Sequence, residues 1–261
     1  MKLFAVSDIH SFYEPLVDAL TNAGFFEAKD SKLIVLGDAL DRGSDAQKTV
    51  EFLLNLHREG RLIFIRGNHE DLYVRCLQAI SSHKINEIAS GMSVHYTNGT
   101  FGTLLQLSGM TSDEAVKLPD ELVKRCYNHL FYTELMEACV DYYETDTHIF
   151  CHGWIPAVAE GYDPFCTYTY DPDWRNASTD QWRRARWYNG MELACRFGIT
   201  EPQKTIVCGH FRTSWGHSHI HHACTERGED AIFAPFYADG IIAIDACTAR
   251  TNKVNCLTFE A

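Results

Sequence analysis

No C-x-x-C pair occurs among the ten cysteines of this 261-residue chain, which excludes the common zinc-thiolate and dithiol patterns. Several cysteines, Cys151 and Cys208 among them, sit inside apolar runs, where a reduced thiol acts as a small hydrophobe. No stretch approaches the roughly 20 apolar residues that cross a bilayer. Basic residues are scarce: 23 Lys and Arg against 35 Asp and Glu give a formal net charge of -12. So acidic a chain is a poor general binder of nucleic acid or anionic membrane, and neither is expected as a partner. The first residues read as a strand and Asp8 interrupts any signal-like run. The expectation is therefore no targeting segment and a cytoplasmic location. Internal repeats and low-complexity segments are missing too.

What is present is a hydrophobic content of 46%, ample for a large core, and one design used five times. Leu33-Ile34-Val35-Leu36 reads as a buried strand. It stops at Gly37 and is followed by Asp38, Asp41, Arg42 and Gly43. Leu3-Phe4-Ala5-Val6 leads to Asp8 and His10; Leu62-Ile63-Phe64-Ile65 leads to Gly67-Asn68-His69-Glu70. Thr147-His148-Ile149-Phe150-Cys151 leads to His152-Gly153, and Thr205-Ile206-Val207-Cys208 to Gly209-His210. A polar group just past a buried strand stands on a rigid platform at the mouth of a sheet. One such case means little; five converge on a site.

Between these strands lie helical patterns. Residues 15–20 read as a short helix ending near Gly24. Residues 46–58 place Val50, Leu53, Leu54 and His57 on one face and stop at Gly60. The first 70 residues thus read strand, helix, strand, helix, strand, an α/β pattern with parallel strands. A helix is expected over 70–80, a turn at Asn98-Gly99, a helix start at Thr111 and a long helix over 121–143. Residues 1–261 are expected to form one domain with a helical insertion or cap at about 81–145, a stretch without any cluster that reads as catalytic. A long loop is expected over 154–174. Ser178 opens a helix carrying Arg183, Arg184 and Arg186, and strands over 240–245 and 252–259 close the chain.

Asp8 and His10 are two apart, so in an extended chain both point one way and can hold one metal ion. Asp38 has two oxygens and can bridge to a second ion, which Asn68, His152 and His210 complete. Oxygen and nitrogen donors without thiolate suit manganese, iron or zinc; two ions are expected, manganese first.

These motifs, Asp8-Ile9-His10, Gly37-Asp38-Ala39-Leu40-Asp41-Arg42-Gly43, Gly67-Asn68-His69-Glu70, His152-Gly153 and Gly209-His210, resemble those of the calcineurin-like metallophosphoesterases. The resemblance is to the branch holding the serine/threonine phosphoprotein phosphatases and the bacterial diadenosine tetraphosphatases. It spans nearly the whole chain, with Ser7 in place of a more usual glycine and Phe211 where a threonine is often found. Glu70, and Arg212 where other branches show a further histidine, point away from the nuclease and phosphodiesterase branches.

The fold implied by the resemblance is α/β: two packed mixed β-sheets flanked by helices. The resemblance also implies a binuclear metal centre held by Asp8, His10, Asp38, Asn68, His152 and His210. His69 matches the general acid and Asp41 its carboxylate partner. Arg42 and a second arginine match the phosphate-binding groups. Arg186, between Ala185 and Trp187, is the first choice for that second arginine and Arg184 the alternative. The implied activity is that of a two-metal phosphatase acting on a phosphate monoester, protein or small molecule, by in-line attack of a metal-bridging hydroxide. A nucleotide polyphosphate hydrolase with the same centre is the runner-up, and a catalytically silent binding module the third reading. His217, His219, His221 and His222 are read as a solvated loop rather than a further metal site.

Overall fold

The β-branched runs become the inner strands of two facing sheets in the computed structural model, which describes residues 1–161 and 166–260. The chain begins β1 (Lys2–Val6), α1 (Tyr13–Ala23), β2 (Ser31–Leu36), α2 (Ala46–Arg58), β3 (Leu62–Ile65) and α3 (Asn68–Ser81). These match the expected pattern, and β1, β2 and β3 pair in parallel. Five helices follow: α4 (Ile85–Ala89), α5 (Val94–Thr97), α6 (Thr100–Ser108), α7 (Ser112–Lys117) and α8 (Pro119–Asn128). After a π-helical turn at Phe131–Leu135 and α9 (Met136–Ala138) come β4 (Tyr142–Glu144) and β5 (His148–Cys151). Then follow β6 (Ala157–Glu160), β7 (Thr167–Tyr170), α10 (Thr179–Ala185), α11 (Gly190–Phe197), β8 (Thr205–Cys208) and α12 (Thr213–His219). The chain closes with β9 (Phe236–Ala238), β10 (Ile241–Ala243), α13 (Thr248–Thr251) and β11 (Leu257–Glu260).

One sheet has the order β11-β1-β2-β3 and the other β4-β5-β8-β10-β9. Antiparallel edge strands flank parallel centres in both, except that β3 is a parallel edge. Side chains alternate faces along each strand. Leu3, Ala5, Ile34, Leu36 and Ile65 of the first sheet meet Phe150 and Val207 of the second, with Ile244, between the sheets. Phe4, Val6, Leu33 and Val35 face outward into a core shared with α1, α2 and α3. Ile149, Cys151, Ile206 and Cys208 face outward beneath Trp154, Trp182 and Met191. The result is four layers, helix on sheet on sheet on helix. Phe101, Leu104, Leu107 and Leu122 of the 81–145 stretch lie in the same core as α1–α3. That stretch therefore packs onto the first sheet's outer layer. Among the described residues no helix is long and apolar enough to cross a membrane.

Three expectations need correction. The helix over 121–143 breaks after α8, because His129 is extended (φ -73°, ψ 143°) and its ring accepts the Phe131 N–H at 3.1 Å. Its last residues form edge strand β4 instead. The loop over 154–174 contains the hairpin β6–β7, paired from Ala157↔Tyr170 to Glu160↔Thr167; residues 162–165 lie outside the described residues. The closing strand over 252–259 begins only at Leu257, after the helical turn α13.

Candidate metal centre

The loops after β1 and β2 continue the sheet's hydrogen bonding beyond the strands themselves. Asp8 N–H donates to Gly37 O (3.3 Å), His10 N–H to Asp38 O (3.0 Å) and Ser11 N–H to Ala39 O (2.9 Å). Gly43 N–H closes back on His10 O at 2.9 Å. This zipper holds a concentration of non-glycine residues in left-handed backbone: Asp8, His10, Ser11, Asp38, Asp41, Arg42 and, on the other sheet, His210, all with φ between 51° and 79°. Each costs about 1 kcal/mol or more, and such strain persists where surrounding contacts overdetermine it. Gly37 (φ 79°) has no alternative: a Cβ there would lie 2.5 Å from Gly67 Cα and 2.8 Å from His152 Nδ1. The loops from three strands can converge only because that atom is missing.

Glu70 locks the convergence. Its carboxylate accepts N–H groups from Gly67 (2.8 Å), Asp38 (2.9 Å) and Ala39 (3.1 Å), a capping box that reaches across to a second loop. In the sequence Glu70 marks a branch of the family; its N3 position in α3 is the signal for this second role. In Glu70→Gln one oxygen becomes an NH2 facing N–H donors. A loss of about 1–3 kcal/mol in stability is expected, read as a lower denaturant midpoint at an unchanged m-value.

The structure brings Asp8, His10, Asp38, Asn68, His69, His152 and His210 to one place, six of them buried and His210 half-buried. Asp38 lies at the centre. Its Oδ1 is 3.3 Å from His152 Nε2 and its Oδ2 is 4.0 Å from His10 Nε2 and 3.8 Å from His69 Nε2. Two groups of donors have all their ligand atoms within 4.8 Å of one another: His10, Asp38 and His69, and Asp38, His152 and His210. Asn68 Oδ1 is 2.8 Å from His152 Nε2. Asp8 stands on the first side, with Oδ1 3.9 Å from His10 Nε2. Its other oxygen accepts the Ser7 hydroxyl and the His210 N–H, the latter at 2.8 Å.

This donor set fits divalent cations. Burial, with Arg42 and His69 adding, holds the His10 imidazole well below its ordinary pKa. Burial, with His152 and His69 adding, does the same to His210. Both rings therefore stay neutral with a lone pair to offer, the form that binds metal. Burial pushes the Asp38 carboxyl well above its ordinary value, opposed by His69 and reinforced by the Asp8 and Glu70 carboxylates; a bound cation relieves that cost. His10 Nδ1, 3.0 Å from Leu40 O, and His152 Nδ1, 2.6 Å from Leu36 O, are tied to backbone carbonyls, which orients each ring.

His69 is placed differently. Its Nδ1 is 2.7 Å from Asp41 Oδ2. Burial lowers its pKa, yet the Asp38 and Asp41 carboxylates outweigh that and raise it above the ordinary value. Arg42, exposed at the mouth, donates to His10 Nε2 (2.8 Å) and His69 Nε2 (3.2 Å).

The Arg186 backbone passes beside Gly153, next to His152, and its buried guanidinium pairs with Asp71, at 2.7 Å, and with Asp141. Arg183 pairs with Asp180, and Arg184 is exposed near Val158 and Tyr188. In the histidine run, His219 stacks on Trp215 (4.9 Å, 13°) and His221 lies on Phe236 (4.6 Å). Among the described residues none of the four joins a group of donors close enough to share an ion.

The chain belongs to the calcineurin-like phosphoesterase family, whose profile matches residues 1–234. Among curated proteins it is 39% identical over 70 residues to the symmetrical bis(5'-nucleosyl)-tetraphosphatase of Cellvibrio japonicus, covering 27% of this chain and 25% of that protein. It is 32% identical over 80 residues to Shewanella-like protein phosphatase 2 of Arabidopsis thaliana, covering 26% of this chain and 20% of that one. The matched stretches thus span a quarter or less of these relatives' length. A cold-active protein-tyrosine phosphatase of a psychrophilic Shewanella aligns with 99% of this chain and 75% of its own, at a TM-score of 0.51 and 15% identity. At that identity the likeness is one of fold.

Proposed function

We propose that this protein is a two-metal phosphatase that hydrolyses a phosphate monoester. The observation that carries the reading is Asp38, shared by two groups of buried donors and facing a buried His69–Asp41 pair. Asp8, His10 and Asp38 would hold one cation; Asp38, Asn68, His152 and His210 the other. Bound there, the cations supply an acidified water as nucleophile and positive charge for the phosphate oxygens.

The chain's own residues do the rest. Arg42 is exposed at the mouth and presents a planar fork that matches two phosphate oxygens. When it turns to the phosphate it leaves the His69 Nε2 lone pair free to take up a proton from solvent. The imidazolium, with Nδ1–H held by Asp41, then gives that Nε2 proton to the departing alkoxide. Arg186, tied to two carboxylates, braces the packing beside Gly153.

The runner-up, hydrolysis of a nucleotide polyphosphate, is favoured by the similarity to a bis(5'-nucleosyl)-tetraphosphatase. Steady-state kinetics on p-nitrophenyl phosphate, a phosphoserine peptide and diadenosine tetraphosphate, with and without added metal, test the reading. Metal-dependent turnover with the highest kcat/KM for a monoester is expected. A preference for diadenosine tetraphosphate would move the assignment to the runner-up. No turnover of any of them by protein carrying two metals would leave a silent binding module.

A further inference from the structure

Resting on that reading, we propose that α6 is the positioning element for the acid pair, and that Thr100 and Thr103 hold Asp41 so that Asp41 can orient His69. The 81–145 stretch carries nothing that reads as catalytic, yet it delivers these two hydroxyls to the buried side of the centre. Thr100 Oγ1 donates to Asp41 Oδ2 at 2.7 Å, the same oxygen that meets His69 Nδ1. Thr103 Oγ1 donates to Asp41 Oδ1 at 2.7 Å. Both carboxylate oxygens are thereby fixed, and the group cannot rotate away from the imidazole.

Both threonines are 0% exposed and Asp41 is 2% exposed, so water does not substitute for either hydroxyl. The spacing continues along the helix. Gln106, three residues on, donates from Nε2 to Gly43 O and accepts the Ala46 N–H at Oε1, both at 3.0 Å. Residues three apart share a helix face, so Thr100, Thr103 and Gln106 form one stripe gripping the loop 41–46. At the start of α6 Gly99 adopts φ 86°, and a Cβ there would collide with Arg42 N and lie 2.8 Å from Arg42 Cα. The helix therefore rests directly on Asp41 and Arg42.

A purely structural role for these threonines is separable by experiment. A helical threonine usually returns its hydroxyl to the carbonyl four residues back. Thr103 spends it on Asp41 instead, so valine keeps the shape and removes only the donor. Thr100→Val, Thr103→Val, the double variant and the two serine variants would be compared with wild type on phenyl phosphate and 2,4-dinitrophenyl phosphate. Two further readouts are metal content and the downfield proton resonance of the His69 Nδ1–H in zinc-loaded protein.

The valine variants are expected to keep two metals and to lose about 10- to 100-fold in kcat on phenyl phosphate. The loss on 2,4-dinitrophenyl phosphate, whose leaving group needs no proton, should be under about 3-fold. Serine should restore both the rate and the resonance. Equal losses on the two esters, or full activity with the resonance unchanged in the valine variants, would overturn the proposal. If the double variant does not fold, the single variants each remove one bond and decide by the same criteria. Should wild type hydrolyse neither ester, the phosphatase reading fails, while the resonance in valine against serine variants still judges whether the threonines hold the pair.

Discussion

Replacing Asp38 with asparagine is expected to remove both cations and to lower phosphoester turnover by about 10³-fold or more. The reasoning is one of shared ligation. Asp38 belongs to both donor groups, so one substitution weakens two sites. Several kcal/mol of charge stabilisation goes with the cations, and each ~1.4 kcal/mol is tenfold in rate. The effect on the metal-free protein should have the opposite sign. Burial and the neighbouring Asp8 and Glu70 carboxylates disfavour an ionised Asp38. An asparagine keeps an oxygen for the His69 N–H, which Asp38 Oδ1 accepts at 2.9 Å, without a buried charge. Metal-free Asp38→Asn should therefore melt at or above the metal-free wild type, yet gain nothing when manganese or zinc is added. Elemental analysis and paired melting curves check this. Two retained metals with normal turnover would remove Asp38 from the centre.

His69→Asn is expected to keep both metals while losing about 10²- to 10⁴-fold in kcat for esters with poor leaving groups. Two observations support a proton donor. Nδ1 is engaged by Asp41, and the carboxylates around the ring raise its pKa despite burial, which shifts the ring toward its acid form. The geometry also offers a competing role, because His69 Nε2 stands with His10 and Asp38 in one of the donor groups. The two roles predict different metal counts. A variant holding one metal, with equal losses across leaving groups of widely different pKa, would make His69 a ligand.

What could be read from the sequence follows from where the groups sit. Asp8, Asp38, Asn68, His152 and His210 each come just after a short apolar strand or its glycine, so local pattern alone places them at a sheet's mouth. The parallel order of β1, β2 and β3 is legible for the same reason. Thr100 and Thr103 are not, because two threonines three apart on a helix look alike whether they face water or a carboxylate. Only their burial against Asp41, some sixty residues away, distinguishes them. Arg186 is buried beside Ala185 while Trp187 on its other side is exposed, and whether its guanidinium meets a phosphate or pairs with Asp71 and Asp141 is a long-range matter. Strand β4 escaped because its three residues continue an amphipathic stretch, and an edge strand carries little pattern of its own.

The division of donors between the two sheets has a thermodynamic side. Asp8, His10, Asp38 and Asn68 hang from the first sheet, His152 and His210 from the second. Among the described residues, eight buried side chains build the apolar layer that joins the sheets. Any cation gripping donors from both sheets is therefore a clamp across that layer, and its binding energy adds directly to the work of parting them. At a free concentration a hundred times its dissociation constant the addition is about 2.7 kcal/mol. Separation of the sheets and release of the ion become a single event. Amide exchange in β1, β2, β5 and β8, the strands that line the joint, should slow in proportion as the cation concentration rises.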